Sequence, residues 1–337
     1  MEASLSLEPD AGRTPANIDA ATRISAIVCT RNRSEWAVKA VASLLAQDVP
    51  DDQLELIVVD NASTDDTGVL LPELVARHPG GRYLLEPELG LSHARNRGIL
   101  ESTGDVVAFL DDDAEALPGW ARHHLDRYAD RDVVGVAGRI DLDWPRERPV
   151  WLPSRWDGMY AGLDLGPDGR DLDPPAIPYG ANMSFRRDAL EGDAMFDPNL
   201  GRRGEDLISG EEHELFARLR ASGRLVYAPD ARVTHHVLPG RVTARWFLRR
   251  VWAQGRTNVR LATVLRDRRS RPGWLARAGY AAVQTAASLV LFAARSVRGS
   301  TPSARMDRLA LAVQTAAISK EALRMAVRRS PRPSAAS

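Results

Sequence analysis

One cysteine in 337 residues, Cys29, excludes a disulfide framework and a cysteine-based structural metal site, and it fits a reducing cytoplasm. It lies in an apolar run, where a thiol packs as a small side chain and does not serve as a nucleophile. Lysine is nearly as scarce: Lys39 and Lys320 are the only two, so arginine carries almost all the positive charge. No Gly-x-x-x-x-Gly-Lys run occurs, which excludes a P-loop. The stretch Cys29-Thr30-Arg31-Asn32-Arg33-Ser34-Glu35, expected at the first strand-to-helix turn, holds no glycine, which excludes a dinucleotide fingerprint. Residues 1–22 have neither a basic start nor an apolar stretch, so a disordered tail is expected there and not a secretory signal. Long apolar runs are missing too. The longest, Ala278 to Ala294, has 17 residues between Arg277 and Arg295 and falls short of the roughly 20 that span a bilayer.

What is present begins with charge. The formal net charge is zero, yet residues 241–337 hold 20 Arg plus Lys against 3 Asp plus Glu, and the remaining 240 residues hold 25 against 42. A basic block of this kind implies a solvated surface or an anionic partner. No nucleic-acid reader motif accompanies it, so nucleic acid is not expected. Peripheral contact with an anionic membrane is the reading retained for the run 278–294, with arginines at both ends. A packed or dimer-forming helix and a spanning helix are the alternatives.

A hydrophobic fraction of 44% indicates a globular chain. Strand-like and helix-like segments alternate from residue 24 onward. Ile24 to Cys29, Leu54 to Asp60 and Asp105 to Leu110 are short apolar strands. A weaker strand is expected near 82–86, and helices are expected to open at Ser34 as N-cap, at Ser63 to Asp66 and near residue 90. This β-α-β-α-β order predicts an α/β fold with a parallel sheet covered on both faces. Residues 141–179 look irregular. A strand and turn over 180–190, a helix over 211–221 and strands over 224–228 and 231–236 then complete a catalytic-sized domain of residues 23–240. Basic helices are expected within 241–330, followed by a disordered tail, 331–337.

In open parallel sheets ligands sit beyond the carboxyl ends of the strands. Three strands end in polar clusters: Thr30-Arg31-Asn32, Asp60-Asn61-Ala62-Ser63-Thr64-Asp65, and Asp111-Asp112-Asp113. Three adjacent carboxylates repel unless cations or donors compensate. In an extended segment Asp111 and Asp113 point to one side and Asp112 to the other. The outer pair therefore suits a hard cation, Mg²⁺ or Mn²⁺, and the middle one a sugar hydroxyl. Asp60 and Asn61 are placed to meet a ribose or a base.

The runs Ser25-to-Gln47, Ile57-to-Thr67, Gly90-to-Ile99, Val106-to-Trp120, Tyr179-to-Arg187 and Gly210-to-Gly223 together resemble a family 2 glycosyltransferase of the GT-A fold. That resemblance implies an enzyme that moves a sugar from a nucleotide-diphosphate donor to a hydroxyl on a glycan, a lipid-linked acceptor or a small molecule, with inversion and with Mg²⁺ or Mn²⁺. It implies that Thr30, Arg31 and Asn32 flank the nucleotide and that Asp60 and Asn61 meet the base or ribose. It further implies that Ser63 and Asp65 shape that loop, that Arg95 and Asn96 lie along the donor, and that Asp112 is near the ribose. Asp111 and Asp113 become the ends of an Asp-x-Asp motif. His235 becomes a further metal or diphosphate ligand, and Trp246, Arg249, Arg250, Gln254 and Arg256 a loose acceptor-side element.

An inverting transfer needs a carboxylate base across the site from the metal. Two acidic pairs compete. Glu205-Asp206 is followed by Leu-Ile-Ser-Gly, which interrupts any helix, whereas Glu211-Glu212 leads directly into one. The base is therefore assigned to Glu212, with Glu211 or Asp206 as fallbacks, and Glu212 is one methylene longer than the aspartate usual in the family. Two other functions were weighed: a sugar-nucleotide pyrophosphorylase, which needs a glycine-rich first loop that is missing here, and a non-catalytic sugar- or lipid-binding relative.

Overall fold

The structure is a computed structural model and describes residues 22–173, 178–190, 195–201, 207, 209–265, 271–297 and 300–327. The tails expected at 1–22 and 331–337 lie outside the described residues, apart from Thr22. Glu205 and Asp206 also lie outside them.

Strands β1 (Ile24–Thr30), β2 (Leu54–Asp60), β3 (Gly81–Leu85) and β4 (Val106–Asp111) pair in parallel in the order β3-β2-β1-β4. The crossovers are α1 (Ser34–Leu45), α2 (Thr67–Val75) and α3 (Leu91–Glu101). Side chains alternate across the sheet. Ile24, Ala26 and Val28 of β1 pack with Ala40, Val41 and Leu44 of α1, while Ile27 packs in the opposite core with Ala94 and Ile99 of α3. Burial on both faces is why β1, β2 and β4 read as apolar runs.

The rest of the sheet is mixed. It uses β5 (Ala114–Ala116), β6 (Val133–Asp143), β7 (Arg170–Asp171), β8 (Asn182–Arg186) and β9 (Arg224–His236), with α4 (Trp120–Arg127) and α5 (Glu211–Leu219) between them. Antiparallel β8 sits between β4 and β6, β6 runs parallel to β9, and β5 and β7 pair antiparallel to β9. Three local readings need correction. The strand β6 was not expected, because two glycines break its apolar pattern. At Gly138 a Cβ would lie 2.1 Å from the Asn182 amide nitrogen, so the close pairing with β8 requires the glycine. The runs 224–228 and 231–236 form one strand. Ser34 is the first helical residue of α1 and not its cap; its N–H is satisfied from another loop, by Asp65 Oδ2 at 3.1 Å.

Below the sheet a polar network fixes β8. Asn182 Oδ1 accepts from Trp120 Nε1 at 2.8 Å and meets His124 Nε2 at 2.9 Å, and Ser184 Oγ joins His124 Nδ1 at 2.8 Å to Tyr128 OH at 2.9 Å. Burial pushes the His124 imidazole down to about 4.

The C-terminal region is three helices, α6 (Ala244–Val264), α7 (Arg271–Val297) and α8 (Pro302–Val327). Thr243 Oγ1 caps α6 by accepting from Trp246 N at 3.2 Å. Phe247 and Val251 of α6 then pack on Leu152, Trp156 and Tyr160, so the helix is joined to the irregular segment that overhangs the sheet. Pairing of α7 with α8 includes Thr285 Oγ1 to Thr315 Oγ1 at 2.8 Å and Ser319 Oγ to Ala278 O at 2.9 Å. Among the described residues, Pro272–Ala294 is the one stretch long and apolar enough to cross a membrane, and only 17% of its most apolar window is buried.

Candidate active site

A cleft of about 380 Å³ opens at the carboxyl ends of β1, β2 and β4. Thr30, Arg31, Asn32, Asn61 and Asp111 to Asp113 line one side; Met159, Tyr160, Arg241 and Trp246 line the other. All three polar strand ends singled out in the sequence converge here, as the parallel topology requires.

Each of the three aspartates has a different environment. Asp112 is buried, accepts from Thr30 Oγ1 at 2.9 Å and pairs with Arg33 at 2.7 Å. Asp113 is also buried and meets His235 Nε2 at 3.0 Å, Arg241 at 3.0 Å and Arg33 at 3.1 Å. Asp111 is half-exposed, with Arg95 Nη2 at 3.5 Å. Burial raises the Asp112 carboxyl well above its ordinary range, against the pull of Arg33. Burial acts on Asp113 as well but is outweighed by His235, Arg241 and Arg33, so that carboxyl is held low. Asp113 therefore stays ionised, as a cation ligand must.

His235 arrives from β9, which is zipped to β5 so that Ala114 pairs with His235 and the His236 N–H donates to Asp113 O at 2.8 Å. Ligand atoms of Asp111, Asp113 and His235 all lie within 4.8 Å of one another. Two carboxylates and one imidazole that can meet at one point suit a divalent cation and leave further positions for phosphate oxygens. The buried His235 Nδ1 has no hydrogen-bond partner, so no second contact locks the ring in one tautomer. His236 faces the other way, between Glu115 at 2.7 Å and Asp143 at 2.8 Å.

Arg95, almost wholly buried on α3, joins the two ends of the site. Its Nη1 lies 3.1 Å from Glu211 Oε1 and 3.2 Å from Glu212 Oε1, while its Nη2 faces Asp111. Its guanidinium is kept charged because Glu212, Glu211 and Asp111 outweigh the burial that opposes ionisation. The group fits only because residue 180 is glycine: a Cβ there would lie 1.8 Å from Arg95 Nη2 and 3.0 Å from Glu212 Oε1. Gly210, at φ 123°, supplies the left-handed turn that starts α5. The two glutamates differ. Glu211 is 2% exposed and accepts the Gly210 N–H at 2.9 Å, whereas Glu212 is 14% exposed.

Several other expected residues act between loops. Asn61 donates to Glu86 O at 3.0 Å and Glu88 O at 2.7 Å and accepts from Gly90 N at 2.8 Å, which fixes the turn into α3. Asp60 accepts from Tyr83 OH at 2.5 Å and from Ser63 N at 2.8 Å. Asn32, at φ 53°, accepts from Thr64 N at 2.6 Å and donates its N–H to Ser63 Oγ at 3.0 Å. Asp65 accepts from the N–H of Ser34 and, at 3.1 Å, from that of Thr67. Asn96 clamps Phe196 through both backbone groups, at 2.8 and 3.0 Å. Arg33 and Arg241 were not given roles from the sequence. Arg33 lies inside the quoted first loop, but Arg241 comes from a distant turn that carries no local signal. Of the residues expected on the acceptor side, Trp246 reaches the cleft, Arg250 is buried, and Arg249 and Arg256 face a separate groove.

Comparison with known proteins agrees with this architecture. The family described as glycosyl transferase family 2 matches residues 25–192. The succinoglycan biosynthesis protein ExoM of Rhizobium meliloti is 30% identical over 239 residues, covering 69% of this chain and 73% of its own. A glucosyl-dolichyl phosphate glucuronosyltransferase of Haloferax volcanii is 29% identical over 238 residues, covering 69% and 75%. Among solved structures, a mannosyltransferase of Pyrobaculum calidifontis in complex with GDP-Man and Mn²⁺ aligns over 93% of this chain and 90% of its own, with a TM-score of 0.62 at 22% identity. GalNAc-T7 with UDP, GalNAc and Mn²⁺ aligns over 72% and 50%, at a TM-score of 0.51 and 17% identity. The family match covers the whole parallel half of the sheet, and a relative 30% identical is spanned over nearly three quarters of its length: this chain belongs to glycosyl transferase family 2 and is a glycosyltransferase of the GT-A fold.

Proposed function

We propose that the cleft transfers a sugar from a nucleoside diphosphate donor to an acceptor hydroxyl, with inversion at the anomeric carbon, divalent-cation assistance and Glu212 as general base. The observation that carries this reading is the span of one side chain: Arg95 touches both Asp111 and Glu212, so the cation end and the base end of the site are held at a fixed separation. The donor class is the one named with the structural neighbours, GDP-Man in one and UDP with GalNAc in the other. Thr30, Arg31 and Asn32 line the nucleotide end. Asp111, Asp113 and His235 would hold the cation, Mn²⁺ in preference to Mg²⁺ because one ligand is an imidazole. When bound, that cation neutralises charge developing on the departing diphosphate.

Arg33 and Arg241 add fixed positive charge at the same end. Glu212 takes the acceptor proton, because its side chain is the more exposed of the two, whereas Glu211 anchors Arg95 and the start of α5. Glu212→Gln is expected to lower kcat by about 10² to 10⁴ with donor affinity kept, while Glu205→Gln stays near wild type. Equal losses at the two positions would refute the base, and a product with the donor's anomeric configuration would refute inversion. Loss of Mn²⁺-dependent donor affinity in Asp113→Ala is the check on the cation site.

We further propose that α7 brings the same enzyme to the inner face of a membrane. Tyr280, Val283 and Val290 are 68, 69 and 68% exposed on a helix that belongs to a strongly basic region, which fits anionic lipid and not a neutral surface. Co-sedimentation with anionic but not zwitterionic vesicles, lost in Val283→Asp/Val290→Asp, is the expected result. Equal binding to both vesicle types would refute it.

A further inference from the structure

The C-terminal helices form a second opening that the donor cleft does not use. On α6, Trp246 reaches the cleft, but Arg245, Leu248, Arg249, Trp252, Ala253 and Arg256 line a separate groove of about 410 Å³. Val313 of α8 and Leu207 close its other side. Past Trp252 and Arg256 it meets a smaller opening of about 190 Å³, where Lys320, Glu321 and Arg324 of α8 face α6.

The groove has two chemical characters. Leu248, Ala253 and Val313 make an apolar floor. Positions 245, 249, 252 and 256 fall on successive turns of one helix face, so three guanidiniums and an indole form a row along the rim. Arg245 and Arg249 are exposed and have no ion-pair or hydrogen-bond partner among the described residues. Lys320 adds its ammonium 5.6 Å from the Trp252 ring. The carboxylate at this end is Glu321. It is buried and shared among Arg256 at 3.5 Å, Arg260 at 3.2 Å and Arg324 at 3.2 Å, so it leaves an excess of positive charge. A row of like charges over an apolar floor is unfavourable for an empty surface and complementary to a molecule that is anionic at one end and apolar along its length.

We propose that this groove binds an amphiphile in which a phosphate is joined to an apolar chain, and that this phosphate links the chain to the sugar whose hydroxyl is the acceptor. Its role as acceptor rests on the transferase reading above; its binding does not. The groove is tied to the base through α6. Next to Arg249, the buried Arg250 donates to Leu207 O at 3.3 Å and to Ser209 Oγ at 3.2 Å, and the Ser209 N–H donates to Thr257 Oγ1 at 3.3 Å. Those residues lead directly into Gly210, Glu211 and Glu212. An occupied groove therefore lies against the segment that introduces the base.

The test is calorimetric titration of the full chain with dodecyl phosphate below its micelle concentration, without nucleotide sugar or metal. Saturable binding at one site is expected, at least tenfold tighter than to dodecanol or to inorganic phosphate. Arg245→Gln/Arg249→Gln should weaken it at least tenfold with an unchanged melting temperature, and Val283→Asp/Val290→Asp on α7 should leave it intact. Inorganic phosphate binding equally well would reduce the site to a simple anion patch, and dodecanol binding equally well would reduce it to an apolar crevice. Either result overturns the proposal, as does wild-type affinity in the arginine pair or loss of binding in the α7 pair. Alkyl phosphate binding without transfer from any nucleotide sugar would keep the site and overturn the acceptor role. Transfer without alkyl phosphate binding would keep the enzyme and overturn the site.

Discussion

Replacing Arg95 with methionine keeps much of the side chain's length and removes its charge. Glu211, Glu212 and Asp111 then lose a guanidinium that stands 3.1, 3.2 and 3.5 Å away. Glu211 matters most for stability, because at 2% exposure it cannot recover its loss from water. Removing one partner of a buried pair costs about 3–5 kcal/mol, a large fraction of the roughly 5–15 kcal/mol that holds a folded protein. At about 2–4 °C per kcal/mol, Arg95→Met should melt roughly 6–20 °C below wild type by differential scanning calorimetry. The cause can be separated from lost packing. Adding Glu211→Gln to Arg95→Met removes the stranded charge, and the double variant should recover about half the loss, whereas Glu211→Gln alone should destabilise. If Arg95→Met melts within 2 °C of wild type, or the double variant is no better than the single, the account of Arg95 as the hub of the site is wrong.

Gly180→Ala places a methyl group where the Arg95 guanidinium passes; it should lower kcat at least tenfold and cost about 1–3 kcal/mol, and unchanged kinetics would show that the close approach is unimportant. Asn61→Ala removes three hydrogen bonds to the loop before α3, so a loss of about 2–3 kcal/mol and faster amide exchange over residues 86–90 are expected. For His124 the folded imidazole titrates near 4, against about 6.5 when unfolded, so only the unfolded chain takes up the proton between those values and stability falls as pH falls through that window. Comparing urea unfolding at pH 7 and pH 4.5, His124→Gln should show a drop smaller than wild type by roughly 2–3 kcal/mol. An equal drop in both proteins would refute the buried neutral imidazole.

The parallel half of the fold was legible because its strands are buried on both faces and end in polar clusters, features carried by consecutive residues. The gathering of Thr30, Asp111 to Asp113 and Asn61 in one cleft follows from that topology. What the sequence hid depends on distance. Arg95 and Glu211 are 116 positions apart, and nothing local to either shows that one guanidinium serves both ends of the site. Arg241 reaches Asp113 from a turn after β9, and Asn96 spends its amide on Phe196, 100 residues on. Ser34 looked like a cap because serine usually caps locally, but Asp65, on another loop, does the work. β6 was missed because its two glycines, Gly138 needed for close contact with Asn182 and Gly135 against Leu225 and Phe216, dilute the apolar pattern that marks a strand.

Which of two neighbouring histidines reaches Asp113 is a matter of counting. Along β6 and β9 the partners step from Gly138 with Ala228 to Arg139 with Arg232, so Pro229, Asp230 and Ala231 are extra on one strand. Their number is odd, and side chains in a strand alternate between its faces. Deleting one of the three, with the upstream pairing kept, would bring His236 to the place of His235, toward Asp113, and turn His235 to the opposite face of the strand. The imidazole beside Asp113 would survive such an edit, because a second histidine takes the place, just as a one-residue shift would bring the Asp112 carboxylate to the place of Asp111 or of Asp113.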